Sequence, residues 1–584
     1  MRRIALCVAS ILLSSAASTA ETETPLKLPA PVADADIVLY NGNVLTVDTN
    51  DSVHEAVAIK GDRIKAVGGS KEIMALAGPK ARRIDLKGRT VTPGMLDTHL
   101  HLTSGSERDN YEVNLSYPNA KNMADVAKAV KEHIDHAQKG EWVQGSGWDE
   151  GKLAEKRYIY ARDIDAVSPD NPVVLTHTMG HYMTANSVAL KLAGITRDTP
   201  DPPGGTIDRG PDGEPTGVLK EYAKALVTDH VPGYTAAQMH DAVAATAQRA
   251  ANECLTGIKD PGIHQEEWDN YQLLAKEGKL PLRIAALWRT PNDLGEAQKL
   301  IDKIKPISRP GVPATDNHVV SIGIKIGLDG SGGARTAWMH EDWSKDYIGL
   351  DTGNKGYSTI GVATASALVR MYHEAGLHMG IHAIGDQAID WTVNAYEQLL
   401  KEKPVKGMRH SIIHANVPSD AAIEKMAYLE KTYDAGYPEA QGSFLWWLGD
   451  TYSGNLGPLR SLRLKPFHTY VEHGIPFANG TDYPVTPFEP RYSLWASVAR
   501  ETLLGVNGKT PFGTAESVDI KSALRSYTIW AAHQMFMENE IGSIEPGKLA
   551  DLAIWDKNMY VIPTAEIKDM KCSMTIFNGK VVHE

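Results

Sequence analysis

The sequence predicts a (β/α)8 TIM barrel with a small β-sandwich domain formed by both chain ends and a large insertion after the first barrel strand. Two observations lead to this prediction. Eight strand-like segments follow one another, with helical patterns between most of them. The segments at both ends instead alternate apolar and polar residues, as half-buried strands do. The chain of 584 residues is long enough for a barrel and an accessory domain.

The predicted first barrel strand, 91–102, ends in the sequence His99-Leu100-His101. The other seven predicted strands are 256–260, 282–287, 320–326, 378–382, 410–414, 439–443 and 475–482. Helical patterns at 363–375 and 389–400 separate some of them. Residues 103–233 are predicted to form an insertion over the barrel mouth, because loops on the catalytic face of such barrels can grow.

The two chain ends have the same strand-and-turn character. Residues 36–48 and 56–67 are alternating runs broken by the turn signals Asn41-Gly42 and Gly61-Asp62, and 551–555 and 574–582 resemble them. We therefore expect 33–92 and 538–584 to form one β-sandwich domain, with the barrel spanning 93–537.

Residues 1–20 are predicted to be a cleavable signal peptide. Arg2-Arg3 precedes an apolar run, and small residues ending at Ala20 supply the cleavage site. The expected location is therefore periplasmic or secreted. Removing this segment leaves Cys254 and Cys572, which we expect to be free, since two cysteines do not make a disulfide framework.

The composition excludes some partners. A net charge of −12 without a basic cluster argues against nucleic acid and against an anionic membrane surface. No stable membrane insertion is expected, because the apolar run near the start is too short to span a bilayer. The expected partner is a small-molecule substrate, and the sequence leaves open whether the protein is a homodimer.

Polar residues recur at the ends of the predicted strands. His99 and His101 lie two apart on a strand and should face the same spot. Neutral imidazole is the commonest protein ligand for zinc-like metals. Polar side chains also lie at the ends of the fourth, fifth, sixth and eighth predicted strands, namely Lys325, His382, His414 and Asp482. Their convergence on one point would form a metal site.

These motifs resemble the amidohydrolase superfamily, specifically the branch that includes N-substituted formamide deformylase. The resemblance extends over nearly the whole chain after residue 90. Its motifs include 93–102 with His99-Leu100-His101, Gly145 to Trp148, Gly180-His181, Lys325 with Asp329-Gly330-Ser331, His382 to Asp386, His414-Ala415, Gly480 to Asp482, and 542–551. The order of these motifs makes the resemblance specific.

The resemblance implies a site with two divalent metal ions, usually zinc. His99 and His101 would hold the more buried ion, and His382 and His414 the second. Lys325 would bridge both ions as a carbamate, because an ammonium group has no lone pair with which to bind metal. Asp482 would bind the buried ion and act as general base.

Two positions depart from the family pattern. Ile413 stands where relatives often have Glu, and strand alternation predicts that it faces away from the site. After the seventh strand the chain has Gln441-Gly-Ser-Phe444 in place of Gln-Pro-x-aromatic, so the substrate of a relative cannot be transferred. Asp386, just beyond His382, is expected to orient a metal ligand.

Three residues are candidates for the substrate pocket. Trp148 and His181 lie in the insertion and are predicted to close over it. His181 would donate a hydrogen bond to the developing oxyanion or serve only in loop packing, as we expect for His177. Arg335 would clamp a substrate carboxylate or pair with a surface acid.

The predicted function is that of an exported metal-dependent hydrolase that cleaves an amide or formamide C–N bond of a small molecule through metal-activated hydroxide. One alternative is an ester or phosphoester hydrolase on the same metals. The other is a metal- or ligand-binding protein that has lost catalysis. The sequence does not name the substrate, because fold and ligands are shared among many reactions.

Overall fold

The computed structural model describes residues 32–312, 317–345, 352–505 and 512–584. Its centre is a parallel sheet of eight strands in chain order, which confirms the predicted barrel fold. The strands are Met95–Asp97, Leu255–Ile263, Arg283–Arg289, Val319–Gly327, His378–Ala383, Ser411–His414, Tyr437–Ala440 and Ala478–Asn479. We call them barrel strands 1 to 8. Each overlaps the segment predicted from the sequence.

The barrel closes between strands 1 and 8. The amide of Thr98 donates to the carbonyl of Asn479 over 3.1 Å, and Leu100 and Tyr483 form a parallel bridge. The main helices around and after the strands are Ala236–Asn252, Gln265–Glu277, Leu294–Ile304, Val362–Glu374, Asp386–Glu402, Asp420–Tyr433, Ser443–Trp447, Gly449–Leu456, Phe467–Glu472, Pro490–Ala499, Ile520–Ser526 and Ile529–Gln534. Carboxyl ends of parallel strands share one edge, so all residues predicted to bind metal meet at one mouth.

Both chain ends contribute to two packed sheets beside the barrel. One sheet has the strands Arg63–Gly68, Ala56–Lys60, Ala35–Tyr40 and Ala77–Asp85, in that spatial order. The other has Lys580–His583, Cys572–Phe577, Leu552–Trp555, Thr90–Pro93, Asn43–Leu45 and Val53–His54. A short helix, Ser70–Met74, precedes the last strand of the first sheet. Apolar side chains of both sheets form one buried cluster that includes Leu39, Val91 and Ile554.

The long segment after barrel strand 1 contains a sheet of its own. Its six strands, in spatial order, are Gly205–Arg209, Pro215–Glu221, Tyr182–Ala185, Val173–His177, Val143–Trp148 and Val113–Asn114. The helices of this segment are Leu102–Tyr111, Met123–Ile134, Ala161–Ile164, Ser187–Leu192 and Ala225–Thr228. The insertion therefore forms one wall above the barrel mouth rather than a loose loop.

The expectation of two free cysteines is wrong. Cys254 and Cys572 form a disulfide with their Cα atoms 5.6 Å apart. Cys254 immediately precedes barrel strand 2, whereas Cys572 begins a strand of the accessory sheet, 318 residues later in the chain. Only the tertiary structure brings the two together, so spacing in the sequence gave no sign of the pair.

None of the helices in the described ranges has the length and apolar character needed to cross a membrane. The predicted signal peptide lies outside the described residues.

Candidate metal centre

Three of the predicted ligands meet where barrel strands 1 and 8 end. The Nε2 atoms of His99 and His101 lie 3.3 and 3.4 Å from the Oδ1 atom of Asp482. One ligand atom from each of these residues lies within 4.8 Å of the others. Burial by itself raises the pKa of Asp482, but His99 and His101 outweigh it and hold that pKa well below its usual range. The carboxylate is therefore ionised and able to bind a cation.

The other three predicted ligands complete the same cluster. The ring of His414 lies 4.9 Å from that of His99 and 4.5 Å from that of His382, measured between centroids. Lys325 lines the cavity shared by these residues, and burial lowers its pKa to about 8. The structure thus brings together all six residues that the sequence predicts as metal ligands.

The cluster fits a bound divalent metal ion. His99 is only 1% exposed, yet neither of its ring nitrogens makes a hydrogen bond. A buried polar atom without a partner is costly, and metal binding would satisfy it. Imidazole nitrogens and carboxylate oxygens are ligands that zinc accepts. The unsatisfied nitrogens of His99 therefore agree with the predicted kind of site.

Several residues to which the sequence analysis gave no role at the site lie beside the histidine rings. Oxygen atoms of Glu439, Asp260 and Asp329 lie 3.9, 3.8 and 3.5 Å from the nearest ring nitrogens of His99, His101 and His382. The Oε1 atom of Gln441 lies 2.9 Å from Nδ1 of His414. Such partners fix the orientation of a metal-binding ring. Asp260 ends the predicted strand 256–260, so the rule that selected the other strand-end residues would also have selected it. Glu439 begins the predicted strand 439–443, so that rule could not find it.

The backbone at the mouth explains why strand alternation misplaced Ile413. His414 has φ +72°, which turns its side chain out of the regular strand pattern. Ile413 therefore points into the barrel interior, where a Cβ on Gly380 would come within 2.7 Å of its Cδ1 atom. The prediction that Ile413 faces away is wrong, because it assumed an undistorted strand.

A buried carboxylate ties strand 1 to strand 8 next to the metal ligands. Asp97 accepts hydrogen bonds from the amide of His99 over 3.0 Å and from the hydroxyl of Thr481 over 2.6 Å. Burial raises the pKa of Asp97 to about 7. These bonds fix the relative positions of His99, whose own amide donates, and of Asp482, which directly follows Thr481.

His181 lies at the cavity above the cluster. The cavity has a volume of about 570 Å³ and is lined by residues of both the barrel and the insertion. The His181 ring is 5.2 Å from that of His382, and its Nδ1 atom is 2.9 Å from the buried Glu221 carboxylate. His177 also lines the cavity, but its two nitrogens face the amide of Met179 and the carboxylate of Glu150. His181 is the better placed of the two to reach a substrate.

Trp148 and Arg335 do not lie where the sequence predicted. Trp148 is 0% exposed, donates to the carbonyl of Leu175 and packs in the core of the insertion. Arg335 is 1% exposed, and its guanidinium donates to Asn455 and Tyr158 within the protein. Neither side chain lines the cavity. Both were misassigned because position in the sequence near a pocket does not fix the direction of a side chain.

Asp386 does not orient a metal ligand. Its carboxylate accepts from the amide of His340 over 2.8 Å and lies at the start of the helix Asp386–Glu402. Asp329 faces His382 instead and accepts from the amides of Ile384 and Gly385. Burial raises the pKa of Asp329 to about 7.

The chain is similar to known proteins over nearly its whole length. The model of the amidohydrolase family matches residues 82–583. N-substituted formamide deformylase of Arthrobacter pascens is 28% identical over 562 residues, which cover 94% of this chain and 98% of that protein. Protein LONG AFTER FAR-RED 3 of Arabidopsis thaliana is 29% identical over 558 residues, covering 93% and 90%.

Solved structures agree on the fold. The crystal structure of an uncharacterized metal-dependent hydrolase from Pyrococcus horikoshii superposes with a TM-score of 0.68 at 23% identity, covering 91% of this chain and 99% of that chain. The resemblance read from the sequence motifs is confirmed. Because the family model matches most of its length, the chain belongs to the amidohydrolase family.

Proposed function

We propose that the protein is an exported metal-dependent hydrolase that cleaves the C–N bond of an amide or formamide of a small molecule. The observation that carries this proposal is the convergence of His99, His101 and Asp482 at the floor of a cavity of about 570 Å³. A relative named N-substituted formamide deformylase, matched over nearly its whole length, supports the choice of a formamide.

The cluster would hold two divalent ions, with zinc as the expected metal. The residues that would hold them are His99, His101, Lys325, His382, His414 and Asp482, with Lys325 carbamylated. When bound, such ions lower the pKa of water to about 7 and polarise a carbonyl group. The carboxylates of Glu439 and Asp260 face Nδ1 of His99 and of His101, and they would help to orient the two rings for this role.

The chain's own residues move the protons. Asp482 takes a proton from the attacking water, whose oxygen bonds to the carbonyl carbon. The same proton then passes to the leaving nitrogen as the C–N bond breaks, so the products are a carboxylic acid and an amine. Glu221, 2.9 Å from Nδ1 of His181, orients this ring so that its other nitrogen can approach the oxygen on which charge develops.

The substitution Asp482→Asn tests the mechanism. Asn is nearly isosteric and can still offer a carbonyl oxygen to the metal, but it cannot take up the proton. We expect kcat for N-formylphenethylamine to fall by about 10²- to 10⁴-fold, with metal content and melting temperature close to native. A metal-loaded, stable Asn variant with near-native kcat would rule out Asp482 as the general base.

The carbamate is tested through Lys325→Ala. A short carboxylic acid such as acetate fits the space of the missing carbamate and should restore part of the lost activity. Lys325→Arg serves as the control, because its side chain fills that space and stays cationic. Equal rescue of both variants, or full activity of Lys325→Ala without added acid, would contradict the proposal.

Export is supported by two features. The residues at 1–20 have the pattern of a signal peptide, and the Cys254–Cys572 disulfide fits an oxidising compartment. We expect the protein recovered from the periplasm or the medium to begin at Glu21. Recovery of the intact chain from the cytoplasm alone would contradict export.

A further inference from the structure

One arginine faces the cavity without an acidic partner. Arg289 ends barrel strand 3, is exposed, and lines the cavity above the metal ligands. Within the described residues its guanidinium makes no ion pair or hydrogen bond. The other arginine of the lining, Arg108, is 3.1 Å from Asp109 and donates to the carbonyl of Pro484. Arg289 is thus the lining arginine with free donors.

Its position is fixed close to Lys325. Arg289 and Lys325 are register partners on adjacent strands, and the amide of Thr290 donates to the carbonyl of Lys325 over 3.0 Å. A Cβ built on Gly262 would lie 3.8 Å from Cγ of Lys325 and 4.0 Å from Nη1 of Arg289. The guanidinium therefore lies beside the stem of Lys325, at the edge of the metal centre.

The charges around Arg289 favour an anion at this edge. Lys224, a second cation nearby, donates to the carbonyl of Gly180 and interacts with the carboxylate of Glu221, which offsets part of its charge. Arg289 therefore remains the cation with uncommitted donors at this edge. Three carboxylates that line the same cavity lie close enough to one another to interact, namely Glu107, Glu112 and Glu267. They disfavour an anion at their own end of the cavity.

Resting on the proposed function, we propose that Arg289 binds a carboxylate of the substrate, so that the preferred substrates are N-acyl or N-formyl compounds that carry one carboxylate near the scissile bond. The planar guanidinium can form two parallel hydrogen bonds to a carboxylate, which adds orientation to attraction. Arg289 is then a specificity-determining residue that takes the role predicted for Arg335.

The test compares matched pairs of substrates that differ in the carboxylate. N-formylphenylalanine is paired with N-formylphenethylamine, and N-acetylphenylalanine with N-acetylphenethylamine. We expect the native holoenzyme to prefer the carboxylate member by about 10- to 100-fold in kcat/KM, as for a charged hydrogen bond. Arg289→Gln should remove this preference mainly through KM. Arg370→Gln, which changes a surface arginine paired with Glu402, should retain it.

Two results would each overturn the inference that Arg289 binds a substrate carboxylate. Equal kcat/KM for the two members of a pair in the native enzyme would overturn the inference. A fall for both members in Arg289→Gln together with loss of bound metal would show that Arg289 only positions Lys325, which also overturns it.

Binding measurements separate this inference from the proposed function. If no amide or formamide is hydrolysed, calorimetric titration of the holoenzyme with the same pairs still measures the dissociation constants. A preference for the carboxylate member that is lost in Arg289→Gln would then support the anion site while the proposed function fails. Hydrolysis of both members without any preference would support the function and reject the anion site.

Discussion

The buried ion pair of Lys259 and Glu439 lies under the metal ligands and should be much more important to stability than a surface pair. The Nζ atom of Lys259 lies 2.5 Å from Oε1 of Glu439, and both side chains are 0% exposed. Ser411 also donates to this carboxylate. Glu439→Gln leaves the ammonium of Lys259 buried without a counter-charge, which typically costs about 3–5 kcal/mol.

Proton release from Lys259 sets an upper limit to the destabilisation by Glu439→Gln. Lys259 can escape the penalty by releasing its proton, and from an unfolded-state pKa of about 10.4 this costs about 5 kcal/mol at pH 7 and about 2 kcal/mol at pH 9. In the variant the folded protein then binds fewer protons than the unfolded chain, so its stability rises with pH. The destabilisation by Glu439→Gln should therefore shrink between pH 7 and pH 9.

The assay is urea unfolding of the metal-free protein at both pH values, followed by tryptophan fluorescence. The double variant Lys259→Met with Glu439→Gln removes both charges and should be more stable than Glu439→Gln alone. Glu402→Gln is the surface control, because Arg370 and Glu402 are each 42% exposed, and its unfolding midpoint should match the native one. The single variant Lys259→Met completes the comparison. The reasoning would be refuted if the double variant were destabilised by the sum of the two single variants and the destabilisation by Glu439→Gln were equal at pH 7 and pH 9.

Two further predictions concern stability. Removing the disulfide by Cys572→Ser should destabilise the protein by about 2–5 kcal/mol. A reductant should lower the midpoint of urea unfolding for the native protein but not for the variant. Equal midpoints of the native protein with and without reductant would contradict this. Burial lowers the pKa of His378 to about 3, below its unfolded value of about 6.5. The contribution of buried, neutral His378 to the free energy of unfolding is therefore complete above pH 6.5. It decreases as the pH falls towards 3, and at pH 5 it has fallen by about 2 kcal/mol. We measure the free energy of unfolding of the metal-free proteins at pH 7 and pH 5. Its fall between these pH values should be about 2 kcal/mol smaller for His378→Gln than for the native protein. The exposed control His468→Gln should show the same fall as the native protein.

The sequence predicted the positions of residues better than the directions of their side chains. Histidines at strand ends are marked by a period of two and by apolar neighbours, so His99, His101, His382 and His414 could all be found. Arg335 lies in a turn, where no period relates sequence to orientation, and Trp148 ends a strand of the insertion that the sequence did not predict. Only the packing of the insertion shows that both are buried.

Contacts between distant segments were the least predictable part. The pairing of Cys254 with Cys572 and the contact of Glu439 with Lys259 each join residues far apart in the sequence. Local patterns do not contain this information. Arg289 was overlooked for a related reason, because an arginine after a strand is ordinary until the absence of an acidic neighbour is seen.

The strand Thr90–Pro93 connects the accessory sheet directly to the metal site. It is hydrogen-bonded to Leu552–Trp555, a segment made more than 450 residues later, and the amide of Gly94 donates to the carbonyl of Asp551. Met95 starts barrel strand 1 immediately afterwards, and His99 follows four residues on. One edge of this strand pairs with Asn43–Leu45, which is made earlier, but its other edge stays unpaired until synthesis has passed residue 555. Completion of the first ligand strand thereby depends on the segment Leu552–Trp555, so chains released before that segment would leave one edge of the strand that precedes His99 unpaired.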